Sequence, residues 1–299
     1  MRTFVPMKLI KYLHAIRPVN LLMTVFILYS VAYGILSPEI DIDVATLNFT
    51  LYVVSAVSLM AFGYLVNDYY DVETDKINKP GKNIFESENP LRPKTLAILL
   101  LSIGILFPIV FFLKNYEQAS LLALYLFAAV ILYFYARFLK NSVFIGNLSI
   151  AILSGLVVSI PYLFFNDEID VYGHQVLMVS IYAVFAFLVT LVREIVKDAE
   201  DVEGDGKSNI KTLASYKGIR ISRYFSSVLM ALALAVISGT AIYFVRTDEV
   251  IKAIAFFLLA VCGFFPFFKI VRATDKKHFS QASSALKIWM LLGVISMWI

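Results

Sequence analysis

Charged residues, cysteine and histidine are all scarce in this 299-residue chain. Only 16% of the residues are charged, whereas soluble domains average about 25%. One cysteine, Cys262, leaves no possibility of an internal disulfide framework. The three histidines are dispersed without metal-ligand spacing, and we find no P-loop, dinucleotide-binding turn or serine nucleophile elbow. These absences argue against a soluble domain, a disulfide-stapled domain and the common nucleotide and hydrolase sites.

Long apolar runs fill most of the chain. Hydrophobic residues make up 60% of it, and the mean hydropathy is +0.79. About 20 apolar residues span a bilayer, and such runs must be helical because lipid offers the backbone no hydrogen-bond partners. We therefore predict an all-α membrane protein with a single domain over residues 1–299. The nine predicted spans are residues 19–37, 47–66, 95–113, 118–136, 144–165, 175–196, 222–245, 250–268 and 282–298.

The basic residues are distributed unevenly around these spans. With a cytoplasmic N-terminus, the inner segments and inner helix ends hold 22 of the Lys and Arg residues, and the two longest inner loops are at about residues 67–94 and 197–221. Of the 26 Lys and Arg residues, only Lys114, Arg246, Lys252 and Lys287 lie elsewhere. Because cytoplasmic segments carry the excess of Lys and Arg, this pattern predicts a cytoplasmic N-terminus and an external C-terminus.

Two acidic motifs follow the second and the sixth predicted spans. The first is 67-NDYYDVETD-75, and the second is 198-DAEDVEGD-205. Asp68, Asp71 and Asp75 have the spacing i, i+3 and i+7, which places them on one face of a helix. The second set, with the same spacing, is Asp198, Asp201 and Asp205.

Like charges on one face beside a bilayer are costly, and a hard cation offsets that cost. Mg²⁺ prefers carboxylate and water oxygens and often shares its site with substrate phosphates. We therefore predict that both motifs bind Mg²⁺ and, through it, a diphosphate. Solvated helix ends are the simpler alternative, but they do not explain two motifs of equal spacing. A calcium loop starting near Asp201 fails because its twelfth position is Thr212 instead of a bidentate Glu.

Lysines surround both motifs. We predict that Lys197 is catalytic and that Lys79, Lys82 and Lys211 contact the diphosphate, because cations stabilise the charge of a departing phosphate group. An anchor for anionic lipid headgroups is the alternative for each lysine. Asn147 is a polar residue inside an apolar span, and it suits either substrate contact or a hydrogen bond between helices.

Several tyrosines lie near the predicted inner helix ends. They are Tyr64, Tyr69, Tyr70, Tyr133 and Tyr135. Tyrosine is common at membrane interfaces, but rings that line a cavity also stabilise a cationic fragment through cation–π attraction. We take Tyr135 as the candidate substrate-binding ring.

These motifs and the helix count resemble the UbiA superfamily of intramembrane prenyltransferases over nearly the whole chain. The resemblance implies a ring of helices around a central lipid-open cavity, Mg²⁺-assisted ionisation of an allylic diphosphate, and transfer of the prenyl cation to an acceptor. Asn67, Asp68, Asp71 and Asp75 match the first metal and diphosphate set of the family. Asp198, Asp201 and Asp205 match the second.

Within the superfamily, 193-REIVKDAEDVEGD-205 and 211-KTLA-214 look most like digeranylgeranylglyceryl phosphate synthases. The resemblance implies transfer of a geranylgeranyl group to geranylgeranylglyceryl phosphate; the alternative is an aromatic acceptor of quinone biosynthesis. Many members continue after the first motif with N-R-P-x-R-P, where this chain has 78-NKPGKN-83. The lysines keep the charge but lose the bidentate geometry of arginine, and the second proline is absent.

Two other classes fit less well. A CDP-alcohol phosphotransferase would carry a DGxxAR motif, which does not occur here. A divalent-cation transporter would place its acidic residues at the bilayer midplane, whereas these motifs lie at helix ends. We expect no nucleic-acid partner, and the expected location is the cell (inner) membrane with the site on the cytoplasmic side. The expected partners are a prenyl diphosphate, the acceptor and membrane lipids.

Overall fold

The regular structure of the protein is helical wherever it is described. The computed structural model describes residues 7–36, 42–78, 81, 83–86, 89, 91–165, 173–207 and 210–299, and no strand occurs among them. The helices are α1 Met7–Ala15, α2 Pro18–Ser30, α3 Ile42–Tyr70, α4 Val72–Asn78, α5 Leu91–Lys114, α6 Ala119–Arg137, α7 Ile145–Phe164, α8 His174–Glu200, α9 Val202–Lys207, α10 Leu213–Lys217, α11 Ile219–Arg246, α12 Val250–Val271 and α13 Lys276–Ile295. The all-α prediction is therefore confirmed for these residues.

Eight helices in the described part of the chain are long and apolar enough to cross a membrane. They are Pro18–Leu36, Leu47–Tyr70, Leu91–Lys114, Ala119–Arg137, Ile145–Phe164, His174–Glu200, Ile219–Arg246 and Val250–Val271. Each coincides with a predicted span, and the first combines α2 with a π-helical turn at Val31–Leu36. Many of their large apolar side chains are exposed, Ile251 and Phe257 among them, as expected for helices that face lipid instead of water.

The ninth predicted span, residues 282–298, is not among these eight helices. It falls on α13, which is helical but begins with the polar residues Lys276, Lys277 and His278 and carries Lys287 farther along. Its polar first half lowers its mean hydropathy. A ninth crossing and the cytoplasmic N-terminus therefore stay predictions.

The chain packs as two compact units, one formed by Met1–Phe26 and Asp43–Leu139 and the other by Ile27–Ile42 and Lys140–Ile299. In the first unit, Phe62, Leu65 and Val66 near the end of α3 share a buried cluster with Ile84 and Phe85. The segment after α4 is therefore anchored in the same core as the end of α3. The single-domain description and the central cavity stay predictions.

Helix α8 is the centre of the second unit, where α7, α10, α11 and α13 all pack against it. Gly155 allows close approach of α7, because a Cβ there would lie 3.1 Å from the Ala183 carbonyl oxygen. The Thr190 hydroxyl donates to the Ser154 hydroxyl at 2.8 Å between the same two helices. Small residues and hydroxyl pairs of this kind hold helices together in membranes, and here they hold α7 against α8, the helix that leads into the second motif.

Candidate functional site

The first acidic motif lies on an almost continuous helix. Helix α3 ends at Tyr70 and α4 begins at Val72, so only Asp71 separates them. The helical hydrogen bonds continue across the junction, from the Asp71 amide to the Asn67 carbonyl at 3.0 Å and from the Asp75 amide to the Asp71 carbonyl at 2.7 Å. The predicted helical spacing of the three aspartates is therefore preserved.

Two asparagine amides orient the carboxylates of this motif. The Asn67 Nδ2 donates to the Asp71 Oδ2 at 2.7 Å. The Asn83 Nδ2 donates both to the Asp75 Oδ2 at 2.9 Å and to the Asp68 carbonyl oxygen at 2.6 Å. Because these donors are neutral, they fix the carboxylates without cancelling the charge that would attract a cation.

Asn83 is held in place by the residues that follow it. Asn83 is 4% exposed, and its Oδ1 accepts a hydrogen bond from the Phe85 amide at 2.9 Å. Ile84 and Phe85 are buried beside Leu65. The hydrophobic anchoring of this short 3₁₀ turn therefore places the Asn83 amide against the motif.

Arg17 reaches the first motif from the start of the chain. Its guanidinium lies 3.4 Å from the Asp68 Oδ1 and 4.4 Å from the centre of the Tyr64 ring. The backbone of Arg17 has a φ of 53°, an unusual value for a residue with a side chain. Such strain costs about 1–3 kcal/mol and persists only where the surroundings impose it. The following Pro18 begins α2 and disfavours the right-handed helical conformation at Arg17, so α1 does not continue into α2.

The second motif repeats the backbone arrangement of the first. Helix α8 ends at Glu200 and α9 begins at Val202, so Asp201 occupies the junction. The Asp201 amide donates to the Lys197 carbonyl at 2.9 Å, and the Asp205 amide donates to the Asp201 carbonyl at 3.0 Å. Asp198, Asp201 and Asp205 therefore also keep their helical spacing.

A neighbouring helix orients the first carboxylate of this motif. The Asn147 Nδ2, on α7, donates to the Asp198 Oδ2 on α8 at 2.7 Å. Asn147 is 9% exposed. Between the two roles considered for Asn147, the hydrogen bond between helices is present, and it ends on a motif carboxylate.

Basic and acidic side chains alternate just before Asp198. Glu194 accepts from the Arg193 guanidinium at 3.0 Å and lies 3.5 Å from the Lys197 Nζ. The Lys197 side chain is 39% exposed, compared with 13% for Glu194. Lys197 is therefore the more accessible partner, as expected for a residue that contacts a substrate phosphate.

The tyrosines near the first motif contact cations of the protein. Arg137 donates to the hydroxyls of Tyr70 and Tyr133 at 3.3 and 3.1 Å. The Lys94 ammonium lies 4.7 Å from the centre of the Tyr69 ring. Arg137 is one of the basic residues that indicate topology, and its two hydrogen bonds also give it a structural role, because they link the end of α3 to α6.

The structure gives less information about four other predicted site residues. Lys79 and Lys82 lie outside the described residues. Lys211 is exposed after the second motif, and Tyr135 is partly buried on α6. The roles predicted for these four residues stay predictions.

The donor set suits Mg²⁺, although no group of three or more His, Cys, Asp and Glu side chains converges on one point within the described ranges. Mg²⁺ does not require such a group, because it usually keeps several waters and binds one or two carboxylates together with substrate phosphates. Each motif offers hard carboxylate oxygens on one helical face, and asparagine amides orient Asp71, Asp75 and Asp198. The residues present therefore fit this ion.

Two contacts of the site escape sequence analysis. Asn83 stands where many UbiA members have a proline, and that departure was the only signal of its special position. Arg17 was assigned only to the basic N-terminal segment, yet it pairs with Asp68 across 51 positions of sequence. Both contacts depend on tertiary packing instead of local spacing.

Known proteins are similar to this chain in sequence and in fold. The sequence model of the UbiA prenyltransferase family matches residues 21–291. Digeranylgeranylglyceryl phosphate synthase from Saccharolobus solfataricus is 34% identical over 242 residues, which cover 80% of this chain and 79% of that protein. A solved structure of digeranylgeranylglyceryl phosphate synthase has a TM-score of 0.70 at 26% identity and covers 97% of both chains.

A second solved structure shares the fold at lower identity. It is a UbiA homolog from Archaeoglobus fulgidus bound to DMAPP and Mg²⁺, with a TM-score of 0.65 and 15% identity. The match covers 97% of this chain and 99% of that one.

Proposed function

The chain belongs to the UbiA prenyltransferase family, and on that premise we propose that it transfers a geranylgeranyl group from its diphosphate to geranylgeranylglyceryl phosphate, with Mg²⁺ as cofactor. It is a prenyltransferase and an integral, multi-pass membrane protein. The donor chain length, the acceptor and the metal are the proposed parts. The Saccharolobus solfataricus relative supports the acceptor, and the Archaeoglobus fulgidus homolog, with its prenyl diphosphate and Mg²⁺, supports the donor class and the metal.

The observation that carries the proposal is the shared construction of the two motifs. In each, the middle aspartate sits between two helices while the helical hydrogen bonds continue through it. In each, an asparagine amide from another segment holds a motif carboxylate, Asn83 on Asp75 and Asn147 on Asp198. Oriented carboxylates of this kind would hold Mg²⁺, which supplies positive charge to the diphosphate as the leaving group departs.

The reaction follows from these roles. The bond between the prenyl C1 and the diphosphate oxygen breaks, and its electron pair leaves with the diphosphate. The acceptor hydroxyl oxygen forms the new bond to C1, and its proton leaves with the diphosphate product. Lys197 donates hydrogen bonds to the departing diphosphate, which stabilises the charge that develops there.

An acceptor panel tests this proposal. Membranes containing the full chain are incubated with labelled geranylgeranyl diphosphate and Mg²⁺, and with either geranylgeranylglyceryl phosphate or an aromatic acid. We expect labelled ether lipid only with the first acceptor, and its loss when EDTA removes the metal. Product from the aromatic acid alone would contradict the proposed acceptor and leave the family assignment intact.

We also propose that the motif-bearing helix ends face the cytoplasm of the cell (inner) membrane, since the basic residues concentrate there. Cys262 is the sole cysteine, so a Cys262→Ser background allows one new label site. An Asn89→Cys variant in sealed right-side-out vesicles should resist a membrane-impermeant maleimide and react after the vesicles are opened. Labelling in sealed vesicles would reverse the orientation.

A further inference from the structure

A stripe of cations runs along α8 beside the acidic stripe of the second motif. Arg193 and Lys197 are four residues apart and therefore share a face of the helix. Glu194 and Asp198 repeat that spacing one residue later, and one residue is about 100° around an α-helix. The helix thus carries two adjacent stripes of opposite charge. Asn147 of α7 contacts the acidic stripe, where it donates a hydrogen bond to Asp198.

Lys287 adds a third cation from α13, which packs directly against α8. The two helices run antiparallel, since Tyr182 of α8 hydrogen-bonds Ser296 just beyond α13 at 2.9 Å and the Phe185 ring packs against Trp289 of α13.

This register places Lys287 toward the end of α8 that bears Arg193, and the charged groups around its ammonium are Arg193, Lys197, Glu194 and Glu200. Lys287 is exposed, so a ligand can reach it. Three cations therefore gather around two carboxylates, Glu194 and Glu200, and an added anion would offset this excess of positive charge beside the membrane.

Arg193 provides an independent sign of a missing anion. Its guanidinium uses one terminal nitrogen on Glu194 at 3.0 Å. Its Nε is buried, and among the described residues no acceptor lies within hydrogen-bond distance of it. A buried donor without an acceptor is rare in native proteins. The planar fork of arginine, with a free donor beside a second cation, suits a phosphate group.

We propose that Arg193 and Lys287 form a binding site for the phosphate monoester of the lipid acceptor. The site rests on the proposed function, since it presumes an acceptor that carries a phosphate. It lies on the cationic flank of α8, one stripe away from the carboxylates assigned to Mg²⁺. The acceptor phosphate therefore binds without a metal, while its lipid tail lies along apolar helix surfaces.

The test compares a phosphorylated acceptor with the same lipid lacking its phosphate. The full chain in lipid nanodiscs is given geranylgeranylglyceryl phosphate or geranylgeranylglycerol, and kcat/KM is measured for each. Lys287→Gln should reduce the preference for the phosphorylated acceptor roughly 10- to 100-fold, the range expected for a lost hydrogen bond to a charged group. Lys287→Arg should restore most of it, and the KM for the prenyl diphosphate should not change.

Lys269→Gln is the matched control, because Lys269 is a lysine of the neighbouring α12 that bonds Gln281 instead of the cationic stripe. It should keep the full preference for the phosphorylated acceptor. Arg193→Lys tests the second cation and should give an intermediate loss. If Lys287→Gln keeps the wild-type preference, or if it raises the KM for the diphosphate instead, the site is wrong.

A binding measurement separates this inference from the proposed function. In EDTA, the phosphorylated lipid should raise the melting temperature of the wild-type protein but not that of Lys287→Gln, because no metal is needed. If the wild-type protein neither transfers a prenyl group to the phosphorylated acceptor nor binds it in the melting assay, the proposed function itself is refuted. Wild-type protein that uses this acceptor while Lys287→Gln binds it equally well would refute only the site.

Discussion

In the first acidic motif, asparagines close in sequence hold the Asp71 and Asp75 carboxylates, whereas in the second motif Asp198 depends on a neighbouring helix. Asn67, the first residue of the motif, orients Asp71. Asn83, eight residues after Asp75, orients Asp75. In the second motif, Asn147 reaches Asp198 from α7, 51 positions away. The backbone is built alike in both, but the contacts that fix the carboxylates are not.

Two motifs of equal spacing therefore need not be equally sensitive to the same kind of mutation. The orientation of the first motif depends on the turn in which Ile84 and Phe85 enter the core. The orientation of the second depends on the packing of α7 against α8, where Gly155 allows close approach. Changes in the loop should therefore affect the first motif, and changes between helices should affect the second.

Removing one carboxylate from either motif should reduce the rate of transfer most. Asp68→Asn and Asp198→Asn should each lower kcat/KM by roughly 100- to 1,000-fold, as expected when a group that stabilises transition-state charge is removed. Initial rates at saturating Mg²⁺ measure the loss, and membrane insertion serves as the control for folding. Normal turnover by either variant would show that its aspartate does not belong to the metal site.

The next effect is expected at Asn83. Asn83→Ala removes the donor to Asp75 and leaves the Phe85 amide without its side-chain acceptor, so the turn and the carboxylate both lose order. We expect a roughly tenfold or larger rise in the Mg²⁺ concentration needed for half-maximal rate. A metal titration at fixed substrate measures it.

Two further variants sharpen the Asn83 result. Asn83→Pro introduces the residue that many family members carry, but it lacks the amide and should behave like the alanine variant. Asn89→Ala removes a side chain that accepts from the Leu91 amide and should leave the titration unchanged. If Asn83→Pro retains the wild-type metal requirement, the amide is not what orients Asp75.

A smaller effect is expected at Asn147. Asn147→Ala removes one neutral donor from Asp198 and should lower kcat about tenfold, since a hydrogen bond to a charged group contributes about 1.5–3 kcal/mol and part of it is regained from water. Ser149→Ala on the same helix is the control, because that hydroxyl donates to the Ile145 carbonyl of its own helix. Equal losses in both variants would indicate a packing defect of α7 instead of a lost contact with Asp198.

The smallest effect concerns stability far from either motif. The Tyr125 hydroxyl donates to the Tyr52 carbonyl oxygen at 2.7 Å and ties α6 to α3. Tyr125→Phe should lower the free energy of unfolding by about 1 kcal/mol without changing the rate of transfer. A thermal melt with a parallel rate assay measures both. A loss of activity at normal stability would contradict a purely structural role.

Local spacing made part of this site predictable from sequence. Asp68, Asp71 and Asp75 could be placed on one face because a helix fixes the positions i, i+3 and i+7. Asn147 was identifiable because a polar residue inside an apolar helix needs a partner. That its partner is Asp198 was not evident, since only the packing of α7 against α8 brings the two together.

The rest depended on tertiary contacts that spacing does not encode. Asn83 meets Asp75 because Ile84 and Phe85 are buried in the first unit. Arg17 meets Asp68 although the two are far apart in sequence. The fold was easier to predict, because eight apolar runs of the sequence match the eight helices of the described residues that are long enough to cross a membrane. The polar first half of α13 left the ninth span open.

The sequence predicts that both motifs bind Mg²⁺ and, through it, a diphosphate. Binding of labelled geranylgeranyl diphosphate, with and without Mg²⁺, to Asp68→Asn, Asp198→Asn and the double variant tests it directly. If both motifs serve one ligand, each single variant loses the Mg²⁺-dependent part of binding and the double variant is no worse. Independent losses that add in the double variant, or normal Mg²⁺-dependent binding in either single variant, would contradict the claim.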